Sequence, residues 1–122
     1  NRYMETAALG RWAEQEAVKF LSARGYDVIK SNYRKPWGEI DIIASKDGVL
    51  IFVEVKASQH NATGFEPELR ADWRKQKKII RTARTYLAER KLPDAQEWQI
   101  DIISVMLNRQ TLSAKITHFK NI

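Results

Sequence analysis

Hydrophobic positions near the start of the chain recur at helical spacing. In residues 6–24 they fall at i, i+4, i+8, i+11 and i+12, and they are Leu9, Ala13, Ala17, Phe20 and Leu21. One apolar stripe of this kind predicts an amphipathic helix, and Gly25 is placed to end it. The alternating residues 26–32 then predict a short strand, and 34–38 predict a basic, turn-rich connection.

Two β-type runs, residues 39–45 and 49–56, predict a hairpin with a type I′ turn at Asp47-Gly48. In that register Lys46 pairs with Val49, so Asp41 lies opposite Glu54. Alternation then puts one mixed set of side chains on a single face: Glu39, Asp41, Ile43, Leu50, Phe52, Glu54 and Lys56. The opposite face is nearly all apolar: Ile40, Ile42, Ala44, Ile51, Val53 and Val55. We therefore expect helices to cover both faces of the sheet.

The second half of the chain predicts another helix and two more strands. Residues 57–71 are polar and predict an irregular loop, and 72–90 predict a helix that buries Trp73, Ile80, Ala83 and Leu87. Strands are expected at 99–106 and 112–119. The order helix, three strands, helix, two strands predicts an α/β fold with a mixed sheet flanked by helices, in a single domain over 1–122.

The net charge of +6 is concentrated in one segment. Residues 70–91 hold nine Lys or Arg against two acidic residues, whereas the rest of the chain holds 12 basic and 13 acidic residues. A basic patch favours a polyanionic partner, nucleic acid first and an anionic membrane surface second. An acidic protein partner is a weaker alternative.

The composition excludes several classes of site and segment. There is no cysteine, which excludes disulfides, Cys-ligated zinc, iron–sulfur clusters and thiol nucleophiles. No apolar run approaches ~20 residues, so no transmembrane helix is predicted. The first ten residues lack the layout of a signal peptide, and we expect a cytoplasmic protein that does not insert into membranes.

The predicted pairing of Asp41 with Glu54 indicates a candidate metal site. Two carboxylates in direct cross-strand opposition repel each other, and a hard cation such as Mg²⁺ would offset that repulsion. Lys56 would place its ammonium beside the same site, where it could stabilise charge that develops on a phosphate. The alternative is that Asp41 or Glu54 merely forms an ion pair with Lys56 on a solvated surface.

Short motifs follow one another along nearly the whole chain: Gly10-x-x-Ala-Glu14-x-x-Ala17, Asn32-Tyr-Arg34, Gly38-Glu-Ile-Asp41, Phe52-Val-Glu54-Val-Lys56, Lys75-Gln76 and Asp101. This set resembles the YraN-like bacterial proteins, which are regarded as relatives of the archaeal Holliday-junction resolvases in the PD-(D/E)xK nuclease superfamily. The resemblance implies a restriction-endonuclease-like three-layer fold. It also implies a Mg²⁺ or Mn²⁺ ion held by Asp41, Glu54 and the Val55 carbonyl, with Lys56 as the catalytic lysine.

By the same resemblance, Glu14 would be the helix carboxylate that completes the site. Periodicity alone does not choose between Glu14 and Glu16, which lie at opposite margins of the apolar stripe. Gly10 gives a weak preference for Glu14, because a missing side chain would let the helix approach closely on that side.

The basic helix predicts a surface that contacts the phosphates of a nucleic acid, and Lys75 and Lys78 belong to this surface. Arg34 and Lys35, at the open end of the hairpin, would extend it. Gln76 falls within the helix's buried stripe, where it would reach toward the metal site or a phosphate, or else form a hydrogen bond in the core. We expect a structural role for Asp101 and assign no metal to His60 or His118.

These observations and the resemblance together favour a Mg²⁺-dependent endonuclease that hydrolyses phosphodiester bonds in DNA. The resemblance implies branched or Holliday-junction DNA as the substrate, whereas the residues themselves do not distinguish DNA from RNA or a junction from a duplex. The rival interpretation is a non-catalytic nucleic-acid-binding module of the same fold. A homodimer would suit a two-fold junction, although no segment indicates a dimer interface.

Overall fold

The computed structural model describes residues 5–60 and 73–122, without the side chains of residues 60 and 73. The elements follow the order αβββαββ: α1 (Thr6–Ala23), β1 (Asp27–Lys35), β2 (Gly38–Lys46), β3 (Val49–His60), α2 (Trp73–Glu89), β4 (Trp98–Asn108) and β5 (Ser113–Phe119). This is the predicted mixed α/β arrangement, and it is consistent with a three-layer restriction-endonuclease-like fold. No helix in the described part of the chain has the length and apolar character needed to cross a membrane.

The five strands form one sheet in the order β1-β2-β3-β4-β5. Strands β3 and β4 are parallel, and every other neighbouring pair is antiparallel. Parallel neighbours need a crossover connection, and α2 lies within it. The sheet is therefore mixed, as the sequence predicts.

Helix α1 ends where Gly25 reverses the chain. Gly25 has φ +85, and the backbone N–H of Tyr26 donates to the Leu21 carbonyl at 3.0 Å while that of Gly25 donates to Ser22 at 3.2 Å. These two bonds form a Schellman motif, which directs the chain from α1 into β1.

The central hairpin has the predicted register. Lys46 pairs with Val49, and Asp47 and Gly48 both have positive φ, at 51° and 80°, as a type I′ turn requires. The pairing continues to Ile42 and Val53. It stops there, one position before Asp41 and Glu54.

Each face of the sheet carries its own hydrophobic core. The core on the α1 side comprises Ala13, Ala17, Leu21, Tyr26, Ile42, Ala44, Ile51, Val53, Ile103 and Val105. The core on the α2 side comprises Tyr33, Ile40, Ile43, Leu50, Phe52, Ile79, Ala83, Tyr86 and Ile100. The expectation that helices cover both faces is confirmed.

The buried face of α2 is rotated from its predicted position. Ile79, Ala83 and Tyr86 are buried, whereas Ile80 and Leu87 are only partly buried. The Tyr86 ring packs edge-on against two aromatic rings of the sheet, at centroid distances of 5.3 Å from Tyr33 and 5.9 Å from Phe52. These contacts turn Tyr86 toward the sheet, which the spacing of aliphatic residues did not indicate.

Two predicted connections are shorter than expected. Lys35 pairs with Gly38, so Arg34 and Lys35 belong to β1 and only Pro36 and Trp37 form the turn. The prediction of irregular structure from residue 57 is wrong as far as 60, because β3 continues to His60 alongside its parallel partner β4. The rest of that predicted loop, 61–71, lies outside the described residues.

Candidate metal centre

The carboxylate of Asp41 lies where β2 and β3 stop pairing. The backbone N–H of Val55 donates a 2.7 Å hydrogen bond to Asp41 Oδ2. A side-chain oxygen thus accepts the hydrogen bond of a strand N–H just beyond the last ladder pair, Ile42–Val53. Asp41 is held between the two strands in this way.

The regular alternation of β2 is interrupted at Asp41. Ile40 and Ile43 pack in the same core, on the α2 side, while Ile42 packs on the α1 side. Unbroken alternation would put Ile40 and Ile43 on opposite faces, so the prediction that Ile40 shares a face with Ile42 is wrong. The neighbouring strand is irregular at the same level, since Asn32 has φ +56 and falls between the pairs Ser31–Ile42 and Tyr33–Ile40. The interruption carries Asp41 toward α1.

Three carboxylates meet at this point. Glu14 of α1 and Glu39 and Asp41 of β2 each offer an oxygen, and these oxygens lie within 4.8 Å of one another. Glu39 was not among the predicted site residues, although its position two residues before Asp41 on the same strand was a usable signal. Glu54 is outside this group.

The two glutamates of α1 have different surroundings. Glu14 joins Asp41, whereas Glu16 forms an ion pair with Lys19 at 3.3 Å. The expected close approach of α1 at Gly10 is not seen, because a Cβ added there would meet no described atom within 4 Å.

Burial and mutual repulsion perturb these carboxyl groups. Burial, opposed by the Val55 hydrogen bond and reinforced by the charges of Glu14 and Glu39, raises the pKa of Asp41 to about 7. Burial also raises the pKa of Glu14, with a further contribution from Glu39, while a hydrogen bond from Asn32 opposes it. Ionising this cluster therefore costs free energy, which a bound cation would offset.

Glu54 lies on the neighbouring strand β3, beside two lysines. Its Oε2 is 2.9 Å from Lys75 Nζ and its Oε1 is 3.9 Å from Lys56 Nζ, and its side chain is 11% exposed. Asp41 and Glu54 nevertheless line the same open cleft. The other lining residues are Gly38, Glu39, Val55, Arg74, Lys75, Lys78 and Ile79. The structure thus brings Asp41, Glu54 and Lys56 to one region, with a lysine of α2 added to them.

The oxygen donors of this cleft fit a hard divalent cation. Carboxylates are the ligands that Mg²⁺ and Mn²⁺ prefer, and Asp41 with Glu14 and Glu39 presents three within reach of one ion. Glu54 lines the same cleft as Glu39 and Asp41. The assignment of a metal to Asp41, Glu54 and Val55 stays a prediction.

The predicted nucleic-acid-binding residues divide into two groups. Lys75 and Lys78 line the cleft, and Arg34 Nε lies 2.8 Å from Glu39 Oε2 at its edge. Lys35 instead contacts Glu89 at the end of α2, with Nζ 2.5 Å from Oε2. Gln76 is half-buried on α2 and is not among the residues that line the cleft.

A comparison with protein families identifies the group to which this chain is related. A model described as "Uncharacterised protein family UPF0102" matches residues 13–105, which include the whole of the candidate centre. The chain belongs to this family. The match confirms the resemblance to the YraN-like proteins at the level of the family.

Curated relatives cover most of both chains, and each carries the name "UPF0102 protein". The relative from Syntrophotalea carbinolica is 39% identical over 112 residues, which are 92% of this chain and 88% of its own. The relative from Persephonella marina is 38% identical, with 92% and 90% covered, and that from Desulforamulus reducens is 34% identical, with 97% of each covered. The similarity to UPF0102 proteins therefore extends over nearly the full length of the chain.

Asp101, the remaining motif residue of this UPF0102 chain, lies in a separate polar cluster. It is 0% exposed, and its carboxylate is within hydrogen-bond distance of His118 Nε2 at 2.7 Å, the Asn121 N–H at 2.9 Å and Gln99 Nε2 at 2.9 Å. Burial alone would raise the pKa of Asp101, but these hydrogen bonds outweigh it and lower the pKa. The contacts join β4, β5 and the residues after β5, as expected for a structural role.

Proposed function

We propose that this member of the UPF0102 family is a metal-dependent endonuclease that hydrolyses phosphodiester bonds in DNA, and that it belongs to the PD-(D/E)xK nuclease superfamily. Branched DNA, including Holliday junctions, is the substrate we expect. The observation that carries the proposal is the cleft itself. Its strand side bears Glu39, Asp41 and Glu54, and its helix side bears Arg74, Lys75 and Lys78.

The two sides suit the two parts of a metal–phosphate complex. Mg²⁺ is typically bound by one or two carboxylates together with substrate phosphate, and Asp41 and Glu54 are the residues that would hold it, with Glu14 and Glu39 beside Asp41. When bound, the ion would polarise the phosphate and lower the pKa of the attacking water. A phosphate between these walls would be matched by cations on the helix side.

The protein's own groups supply the rest of the chemistry. The Val55 N–H orients the Asp41 carboxylate at 2.7 Å, so this ligand is ordered before substrate arrives. The Lys56 ammonium, beside Glu54, would stabilise the negative charge that develops on the phosphate oxygens as water attacks phosphorus and a deoxyribose oxygen leaves. Lys75, Lys78 and Arg74 would bind the flanking phosphates and orient the scissile bond.

The direct test is cleavage of labelled junction, flap and duplex DNA with Mg²⁺ or Mn²⁺. We expect metal-dependent products that disappear in Asp41→Asn, Glu54→Gln and Lys56→Met. Glu16→Gln is the matched control, because Glu16 lies on the same helix as Glu14 but contacts Lys19. Products that persist in Asp41→Asn, or appear equally with EDTA, would contradict the proposal.

A second candidate function is a nucleic-acid-binding module without catalysis. The contacts of Glu54 with Lys75 and Lys56 favour it, because an ion-pair network can neutralise that carboxylate without a metal. Under this alternative, DNA binds with strong salt dependence, is not cut with any metal, and binds as well to Asp41→Asn as to the unaltered protein.

A further inference from the structure

We propose that Lys75 competes with the metal ion for Glu54, and that a phosphate of the nucleic acid draws Lys75 away. Metal and nucleic acid would then strengthen each other's binding through this one side chain. The proposal rests on the function proposed above, and it concerns the regulation of the same cleft.

The first step is the state of Glu54. This side chain is 11% exposed, with Lys75 Nζ 2.9 Å from one carboxylate oxygen and Lys56 Nζ 3.9 Å from the other. Because Glu54 itself is largely shielded from water, the lysines stabilise its carboxylate more than they would a fully exposed one. A divalent ion that uses Glu54 must replace Lys75 or bind beside it against charge repulsion.

The neighbouring carboxylate cluster differs from Glu54 in its electrostatics. Glu14, Glu39 and Asp41 bring three carboxylate oxygens within 4.8 Å of one another. Arg34 contacts Glu39 there, but its side chain is 70% exposed, so solvent weakens its effect. An incoming ion would therefore meet less competition from lysine at this carboxylate cluster than at Glu54.

Lys75 is placed to exchange partners. Its side chain is 54% exposed, and it lies one helical turn or less from Arg74 and Lys78, which line the same cleft. A phosphate in the cleft would be attracted to all three cations, and an ammonium that moves to the phosphate leaves Glu54 Oε2 open to the metal. By thermodynamic linkage, metal must then favour phosphate binding by the same factor.

The metal affinity of the protein without nucleic acid tests whether Lys75 competes with the metal for Glu54. Mn²⁺ binding is measured from the signal of the free ion in electron paramagnetic resonance. We expect Lys75→Met to bind Mn²⁺ roughly tenfold more tightly than the unaltered protein. Lys77→Met is the matched control, since it removes the same charge from α2 but lies in a different groove with Arg81 and Arg84. Equal affinities in the two variants would overturn the proposal.

The nucleic-acid affinity tests whether metal and nucleic acid strengthen each other's binding through Lys75. Fluorescence anisotropy with a phosphorothioate duplex that resists cleavage gives the dissociation constant with and without Mn²⁺. We expect Mn²⁺ to tighten duplex binding by the unaltered protein and by Lys77→Met, and to lose most of that effect in Lys75→Met. Tightening of the same size in all three proteins would overturn the proposal. Circular dichroism and thermal unfolding of each variant show that the fold is retained.

The outcomes separate this proposal from the nuclease proposal. Tighter Mn²⁺ binding by Lys75→Met, together with no cleavage of any DNA by the unaltered protein, supports the competition and contradicts the nuclease. Metal-dependent cleavage with no effect of Lys75 on Mn²⁺ affinity supports the nuclease and overturns the competition. Absence of Mn²⁺ binding in every variant overturns both.

Discussion

The carboxylate of Asp41 accepts a 2.7 Å hydrogen bond from the backbone N–H of Val55, on the strand next to its own. This bond forms just after the main-chain pairing of β2 and β3 ends at Ile42 and Val53. The strands can part there without an unpaired Val55 N–H, and the parting leaves room for side chains. One interaction thus holds both the end of the hairpin and the central carboxylate of the candidate site.

Neutralising Asp41 should stabilise the protein when no divalent metal is present. The pKa of Asp41 is raised to about 7, so the folded state binds a proton more tightly than the unfolded state, whose Asp pKa is about 4. Stability therefore falls as the pH rises from about 4 to about 7, and stays reduced above that range. In urea unfolding with EDTA at about pH 8, we expect Asp41→Asn to raise the free energy of unfolding by roughly 2 kcal/mol.

An asparagine oxygen can still accept the Val55 hydrogen bond, so this substitution tests charge rather than geometry. Asp47→Asn is the control, because Asp47 is exposed in the type I′ turn, where asparagine is equally suitable. A free energy of unfolding for Asp41→Asn below that of the unaltered protein at about pH 8 would contradict this account.

Gly38 should be intolerant of even a methyl group. A Cβ at this position would lie 2.4 Å from Thr82 Oγ1 and 3.2 Å from the Lys78 carbonyl oxygen of α2. Thr82 has little freedom to yield, because its hydroxyl donates to that same carbonyl at 2.7 Å. We expect Gly38→Ala to displace α2 and to lower the free energy of unfolding by roughly 1–3 kcal/mol, as measured by chemical denaturation.

The matched variant is Gly10→Ala, where the added methyl group meets no described atom within 4 Å. Gly10 lies inside α1, so alanine there should stabilise the protein by roughly 0.5–1 kcal/mol. Equal effects of the two substitutions would show that α2 does not approach β2 as closely as described.

The Asp101 cluster should contribute stability that acid removes. The pKa of Asp101 is lowered, so its charged form stabilises the folded state above the unfolded-state pKa of about 4, and this contribution is lost as the pH falls through the folded-state value. We expect Asp101→Asn to lower the free energy of unfolding at neutral pH by roughly 2 kcal/mol and to reduce its dependence on pH below about 4. Chemical denaturation at several pH values measures the free energy of unfolding and its pH dependence. If Asp101→Asn left the pH dependence below about 4 unchanged, the stabilising role of the Asp101 charge would be contradicted.

Lys35 and Lys78 should separate stability from nucleic-acid binding. Lys35 contacts Glu89, so Lys35→Met should cost stability of at most roughly 1 kcal/mol and leave the salt dependence of DNA binding unchanged. Lys78 lines the cleft, and Lys78→Met should reduce the slope of log affinity against log salt by about one. Anisotropy titrations at several salt concentrations distinguish the two; a slope change for Lys35→Met alone would reverse the assignment.

The hairpin shows how far sequence reasoning extends. Asp47-Gly48 determines a turn, the turn determines the register, and the register brings Asp41 and Glu54 to the same end of two strands. The same reasoning placed Ile40 on the wrong face, since strict alternation has no means of representing the irregularity at Asn32 and Asp41. The contacts at that irregularity, of Asn32 with Glu14 and of Asp41 with Val55, join residues that are not neighbours in the chain.

Four features could be predicted from the amino-acid sequence alone: the order of elements, the mixed sheet with helices on both faces, the register of the hairpin and the concentration of charge on α2. These features follow from spacing and turn chemistry, which act between near neighbours in the chain. The grouping of Glu14 and Glu39 around Asp41 and the contact of Lys75 with Glu54 became evident only from the fold. Such contacts depend on how a helix is rotated and how closely it approaches the sheet, and packing of Tyr86 and Gly38 sets both for α2.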